Sequence, residues 1–174
     1  ADERRWELVD GRPTAMAPST RAHGRLLSRL ARFIDQVCDN LRPCASEVEA
    51  GIRIPDRDDA YYEADIAVSC TPPEPGERGM TDPVFIVEIL SSSTMGTDRR
   101  HKLPDYRSIP SVREILLVDQ GALYAEVHRR LEGDRWLVDL VQGPEARLRL
   151  DSIGLDVALA DIYAGVPLDE AVGA

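Results

Sequence analysis

The sequence predicts an α/β (α+β) fold in which a mixed β-sheet is flanked by helices and preceded by an N-terminal β-hairpin. Three observations carry this expectation. A long segment with helical hydrophobic spacing occupies residues 20–41, and period-two segments follow it from Val48 onward. Val84-Phe85-Ile86-Val87-Glu88-Ile89-Leu90 is a nearly unbroken apolar run, as expected of a central strand buried on both faces. A helical pattern around 98–108 then separates that run from a further apolar strand, Glu114–Asp119, which gives the β–α–β order of an α/β unit.

Residues 6–18, WELVDGRPTAMAP, alternate around an Asp10-Gly11 turn and predict the hairpin. The first helix can be capped by Ser19 or Thr20, and it repeats Leu26, Leu27, Leu30, Phe33, Ile34 and Val37. Arg21, Arg25, Arg29 and Arg32 form a basic stripe on its other side, expected to be a solvated face, and Pro43 follows its end. Val48, Ala50, Ile52 and Ile54 predict a strand that stops at Pro55, and Ala64–Val68 a short strand with Asp65 inside it. The segment TPPEPGERGMTDP is a Pro- and Gly-rich loop, long enough to be expected near a site. After 114–119, strands are expected at Ala122–His128, Trp136–Val141, Leu148–Leu150 and Leu155–Leu159, with Asp119 capping a strand-end turn.

The 174 residues fit one domain spanning 1–174, with a core of about 6–165 and a frayed tail at 166–174. Hydrophobic residues are 43% and charged residues 30%, an ordinary globular balance. No apolar run approaches the roughly 20 residues that cross a bilayer, and no apolar leader opens the sequence, so a cytoplasmic location is expected. Cys38, Cys44 and Cys70 form no paired motif and read as free thiols. His101 and His128 show no ligand spacing with them, so no zinc site is expected. The net charge of −10 disfavours general binding to phosphate backbones without forbidding a local basic patch.

Of the 21 basic residues, only Lys102 is lysine; the rest are arginine. A lone lysine in an arginine-rich chain suggests a position that needs a compact ammonium rather than a planar guanidinium. Asp65 and Glu88 lie inside apolar strands, where a carboxylate is costly unless paired, hydrogen-bonded or metal-bound. Two carboxylates on neighbouring strands can hold a hard divalent cation, and an ammonium nearby can orient water and offset charge on a reacting phosphate.

The runs W-E-L-V-D-G-R at 6–12, M-A-P at 16–18, His23, A-D-I-A-V at 64–68, V-E-I-L-S-S-S-T at 87–94, D-R-R-H-K-L-P-D-Y at 98–106 and I-P-S-V-R-E-I-L-L-V-D at 109–119 resemble the Uma-two family of bacterial proteins. The likeness extends over roughly 6–165. It implies a restriction-endonuclease-like core of the PD-(D/E)xK nuclease superfamily. On that resemblance Asp65 and Glu88 match the metal-binding acids, with the backbone carbonyl of Ile89 as a third ligand for Mg²⁺ or Mn²⁺. Lys102 matches an active-site lysine moved from the strand of the second acid, where Leu90 now stands, to the following helix. Glu7 matches an N-terminal helper acid. His23 and Tyr106 also match the family pattern and are expected to meet substrate, as are Arg99 and Arg100 from their place beside Lys102. Ala64 and Ser92 stand where the family usually has proline, and Pro104 predicts a helix starting near Leu103, with Lys102 at its mouth.

The implied function is metal-dependent hydrolysis of phosphodiester bonds in DNA or another nucleic acid, by a homodimer whose face could come from strands near 122–141. The alternatives are a catalytically lapsed nuclease fold acting as a binding module, which the acidic charge favours, and hydrolysis of a small phosphodiester, which a narrow pocket would favour.

Overall fold

Asp10 and Gly11 both take positive φ, 46° and 74°, which is the backbone of a two-residue type I′ turn. That turn joins β1 (Trp6–Val9) to β2 (Arg12–Ala15), with Val9 paired to Arg12. Helix α1 (Arg21–Cys38) starts at Thr20, whose hydroxyl accepts the His23 N–H at 3.1 Å. It buries Leu26, Leu30, Ile34 and Cys38, a stripe at four-residue spacing, and ends three residues before the expected Leu41. Strands β3 (Ala45–Arg53), β4 (Tyr61–Ser69) and β5 (Phe85–Leu90) follow, and all six residues of β5 are buried. These and the later elements are seen in a computed structural model that describes residues 5–91 and 95–168.

The polypeptide between β5 and β6 (Glu114–Asp119) is helical from Met95 to Ser108, in three pieces: α2 (Met95–Thr97), a π-helical turn (Asp98–Lys102) and α3 (Leu103–Ser108). This crossover makes β5 and β6 parallel, whereas the other paired strands are antiparallel. Strands β7 (Tyr124–Arg130) and β8 (Trp136–Gln142) extend the sheet. A separate hairpin, β9 (Arg147–Leu150) and β10 (Leu155–Ala158), leads into the short α4 (Leu159–Ile162). The eight-stranded sheet runs β2-β1-β4-β5-β6-β7-β8, with β3 also paired to β4.

Two apolar layers sandwich this sheet. On one face α1, α4 and the β9–β10 hairpin pack on Val68, Phe85, Val87, Leu116 and Val127. On the other, Leu103, Tyr106 and Ile109 cover Ala64, Ile86, Leu90, Ile115 and Leu117. Strand β4 changes allegiance along its length. Tyr62 and Ala64 lie in the Tyr106 layer, but Ile66 and Val68 lie in the α1 layer. Unbroken alternation would put all four on one face. The β3–β4 pairing passes over Glu49 and Asp65, and Glu49 has φ +52°. The strand therefore switches faces at Asp65, by a local irregularity of the kind that re-aims side chains.

Two expectations are corrected. The loop at 71–83 lies along the outer edge of β3, through Met80 N–H to Gly51 O at 2.8 Å and Arg53 N–H to Met80 O at 3.0 Å, and does not line the acidic cleft. Cys44 and Cys70 form a disulfide, while Cys38 is free and buried. They flank the Ala45–Ser69 pair, so the β3–β4 register makes neighbours of residues 26 apart, which spacing alone does not reveal. Asp119 does cap its turn, accepting the N–H groups of Gly121 and Ala122. Of the tail expected to fray, Val166 packs on the α1 layer, and residues 169–174 lie outside the described residues, as does Ser92.

Because Leu30 is fully buried between α1 and the sheet, Leu30→Ala should lower unfolding stability by about 2–5 kcal/mol, read from urea denaturation at constant m-value.

Candidate active site

The site grows from a gap in a β-ladder. Strand β3 pairs with β4 along residues 61–69, so β1 and β5 must share the other edge of β4. Strand β1 meets that edge only at Leu8–Tyr61, and β5 joins it only from Ile66–Val87 onward. Backbone groups in the interval need partners, because a buried unpaired amide is expensive. Side chains supply them. The Glu63 N–H donates to Glu7 Oε1 at 3.0 Å, and the Glu63 carbonyl accepts from Lys102 Nζ at 3.5 Å. The Ile89 N–H donates to Asp65 Oδ2 at 2.6 Å. Glu7, Asp65 and Lys102 are thus built into the seam where the sheet divides.

Lys102 arrives from the helical crossover. Its ammonium lies 2.7 Å from Glu7 Oε1, 3.3 Å from Glu88 Oε1 and 3.5 Å from Asp98 Oδ1. Tyr106, one turn later, donates to Glu88 Oε1 at 2.6 Å. Pro104 has no N–H and collides with a regular α-helical turn before it. The backbone answers by widening: the Leu103 N–H bonds to Asp98 O, five residues back, and Pro104 falls in the first turn of α3. The helix does begin again at Leu103, but the π turn continues it upstream, so Lys102 is held within a continuous coil. Asp98, Lys102 and Tyr106, at four-residue intervals, all face the seam.

The electrostatics are those of crowded buried acids around one cation. Glu88 and Lys102 are 3% and 4% exposed. Burial raises Glu88 well above the usual carboxylate range; Lys102 opposes this, and Asp65 and Asp98 add to it. Burial alone would pull Lys102 down, but the carboxylates of Glu88, Glu7 and Asp98 outweigh it and keep the ammonium charged. Burial likewise raises Tyr106, with the Glu88 charge adding, so it stays a hydrogen-bond donor. His23 Nε2 sits 3.0 Å from Asp65 Oδ1, and that hydrogen bond raises the imidazole above its ordinary value.

A cleft of about 210 Å³ opens over this cluster, walled by Arg5, His23, the segment Ala15–Thr20 and Gln120. The structure brings Glu7, His23, Asp65, Glu88, Ile89 and Lys102 to this one cleft. Tyr106 is fully buried beneath it and touches Glu88 instead of open space. Arg99 and Arg100 do not line it. Arg99 is committed to Glu126 on β7, with Nη1–Oε2 at 2.9 Å and Nη2–Oε1 at 2.6 Å. Asp98 was not anticipated; its four-residue spacing before Lys102 was the available signal. Among the described residues, no three His, Cys, Asp or Glu side chains are arranged as a ready-made metal cage.

Removing the ammonium would leave Glu7, Glu88 and Asp98 buried together without their shared cation. Lys102→Met should therefore cost about 3–5 kcal/mol of stability at neutral pH, measured by urea denaturation, despite its apolar stem being retained.

Residues 1–160 match the Uma2 family, described as "Putative restriction endonuclease". Two proteins of Synechocystis sp. are similar to it: sll1609, 26% identical with 82% of this chain and 81% of that protein covered, and slr1290, 29% identical with 92% and 84% covered. Its fold is similar to the crystal structure of "a putative nuclease belonging to DUF820" from Anabaena variabilis ATCC 29413, with TM-score 0.74 and 19% identity over 93% of this chain and 91% of that one. The structural likeness bears on the fold, and the family match across nearly the whole chain leads to one assignment: this chain belongs to the Uma2 family.

Proposed function

We propose that the chain is a metal-dependent endonuclease that hydrolyses phosphodiester bonds of a nucleic acid, with DNA as the first candidate, and that it acts as a single catalytic domain. The observation that carries this reading is the convergence of its one lysine with Glu88 and Glu7 at the seam that also holds Asp65. Five carboxylates line the cleft, those of Glu7, Glu63, Asp65, Glu88 and Asp98, against Arg5, Lys102 and the imidazole of His23. Such an excess of hard oxygen donors suits Mg²⁺ or Mn²⁺, which can be held by one or two carboxylates with water and phosphate completing the shell. Asp65, Glu88 and the Ile89 carbonyl would hold the ion, which when bound makes a water more acidic and offsets phosphate charge.

The protein's own groups have separate tasks under this reading. Lys102 orients the attacking water and is kept protonated by Glu88, Glu7 and Asp98. Tyr106 fixes the rotamer of Glu88 from below. His23 steadies Asp65 and stands at the mouth of the cleft, beside Arg5, where a phosphate would enter. Arg100 is the arginine of the π turn left to meet a phosphate, since Arg99 is occupied by Glu126.

A specific observation also supports the lapsed-nuclease alternative. Asp65 already has both oxygens engaged, by His23 and Ile89 N–H, and Glu88 Oε1 by Tyr106 and Lys102. A binding module would keep those contacts; an enzyme must loosen some when the ion arrives.

No helix among the described residues is long and apolar enough to cross a membrane. The cytoplasm is the proposed setting because nucleic acid is the proposed substrate, although the Cys44–Cys70 bridge is uncommon there. A homodimer is part of the proposal: β8 is the last strand of the sheet and exposes Leu137, Val138 and Leu140.

Titration calorimetry should show Mn²⁺ binding to the wild type and none to Glu88→Gln. Wild-type protein with Mn²⁺ should nick plasmid DNA, and Asp65→Asn and Glu88→Gln should each lower the rate by at least about 100-fold. Equal cleavage by both variants would sink the nuclease reading. Ion binding with no cleavage of DNA, RNA or bis(p-nitrophenyl) phosphate would favour the binding module, and cleavage of the small ester alone would favour a small-phosphodiester enzyme. For the dimer, Leu140→Lys should lower the sedimentation mass to that of the monomer.

A further inference from the structure

Behind the cleft a second polar network ties the helical crossover to β7. Glu126, 7% exposed, is its hub. It accepts both terminal nitrogens of Arg99, the Tyr124 hydroxyl at 2.7 Å and a contact from His128 Nε2 at 3.2 Å. His128 Nδ1 in turn lies 2.6 Å from Arg107 Nη2. Because Arg107 can only donate, Nδ1 must accept and Nε2 must carry the proton toward Glu126. The Arg99 guanidinium beside Glu126 holds that carboxyl down to about 2, so it is a carboxylate at neutral and mildly acidic pH.

The spacing gives this network its meaning. Asp98, Lys102 and Tyr106 face the seam, while Arg99 and Arg107, each one residue later in the same four-residue rhythm, face β7. Both anchors belong to the crossover, one in the widened turn and one in the last turn of α3, and Lys102 lies between them. A π turn is closed by bonds five residues apart and departs from the four-residue ladder of the regular helix around it, so a contact from outside the helix bears on how its side chains are rotated. The two-pronged Arg99–Glu126 pair supplies one, since a planar fork fixes direction as well as distance.

We propose that Glu126, acting through Arg99, is a positioning residue for Lys102: it sets the rotation of the π turn that delivers the ammonium to Glu7 and Glu88. The kinetic part rests on the nuclease reading above; the structural part does not.

The chain contains one lysine, Lys102; Arg99→Lys adds a second amine at position 99, and cleavage after Arg100 puts the two on separate peptides, so acetylation of Lys102 is read by itself in every variant. Purified wild type, Arg99→Lys and Glu126→Gln are treated with N-hydroxysuccinimidyl acetate under native conditions, and acetylation of the Lys102 peptide is timed by mass spectrometry. Arg99→Lys keeps the charge at a partly exposed position and removes only the fork, so it remains informative if Glu126→Gln does not fold. The expected result is acetylation about 10-fold faster in the folded variants, with the far-UV spectrum unchanged and the acceleration independent of low, non-denaturing urea, as for a local opening. Cleavage assays of the same proteins should show kcat lowered about 10-fold at unchanged KM. Wild-type reactivity of Lys102 in Arg99→Lys overturns the proposal, as does an acceleration that rises with urea in step with global unfolding. Faster acetylation in proteins that cleave nothing, wild type included, supports the positioning role while removing the nuclease reading.

Discussion

One ammonium governs the architecture of this site. Lys102 is the shared cation for three buried carboxylates and also caps a backbone carbonyl that no strand reaches. Without it the interior of the seam would hold several acids in a low-dielectric setting, which folding does not tolerate. The surrounding geometry reads as a consequence. The helix widens so that the ammonium can arrive, the sheet divides so that it has somewhere to sit, and Tyr106 seals the space below. A guanidinium would not serve there, because a planar fork cannot reach Glu7, Glu88 and Asp98 from one point.

The divided sheet explains why catalytic-type groups can be stable in a core. In a continuous ladder, Glu63 and Ile89 would pair with neighbouring backbone and no side chain would be wanted. Here the ladder stops, and Glu7 and Asp65 take its place as acceptors. Their carboxylates perform a structural duty that holds them in position before any ligand comes. The face change at Asp65, opposite the left-handed Glu49, belongs to the same device, since it carries β4 from one apolar layer to the other across the seam. This is preorganisation by the fold, with the polar groups of the site paired in advance.

Much of this was legible in the sequence. The Asp10-Gly11 turn, the α1 stripe and the buried β5 run each follow from local chemistry, and each appears within a few residues of its expected place. The lone lysine stands out on composition alone. What escaped the sequence was relational. The Arg99–Glu126 pair joins residues 27 apart, and Cys44 meets Cys70 only because β3 and β4 are in register. The role of Asp98 depends on the π turn, and a π turn is announced by nothing except a proline placed where an α-helix would reject it. The position of the 71–83 loop on the far edge of β3 was likewise set by backbone pairing to Gly51, which composition does not encode.

The widened turn between Thr97 and Leu103 also bears on how this chain tolerates changes of length. A π turn uses one residue more than an α-helix over the same rise. Loss of a single residue between Asp98 and Lys102 would let the coil relax toward a regular helix and change the spacing by which Asp98 meets the ammonium, while Lys102 and Tyr106 kept theirs. The local backbone would become more regular while Lys102 lost one of its three carboxylates. Natural variation in this stretch is therefore expected to proceed by substitution, with its residue count held fixed between the last turn before Asp98 and the proline that follows Lys102.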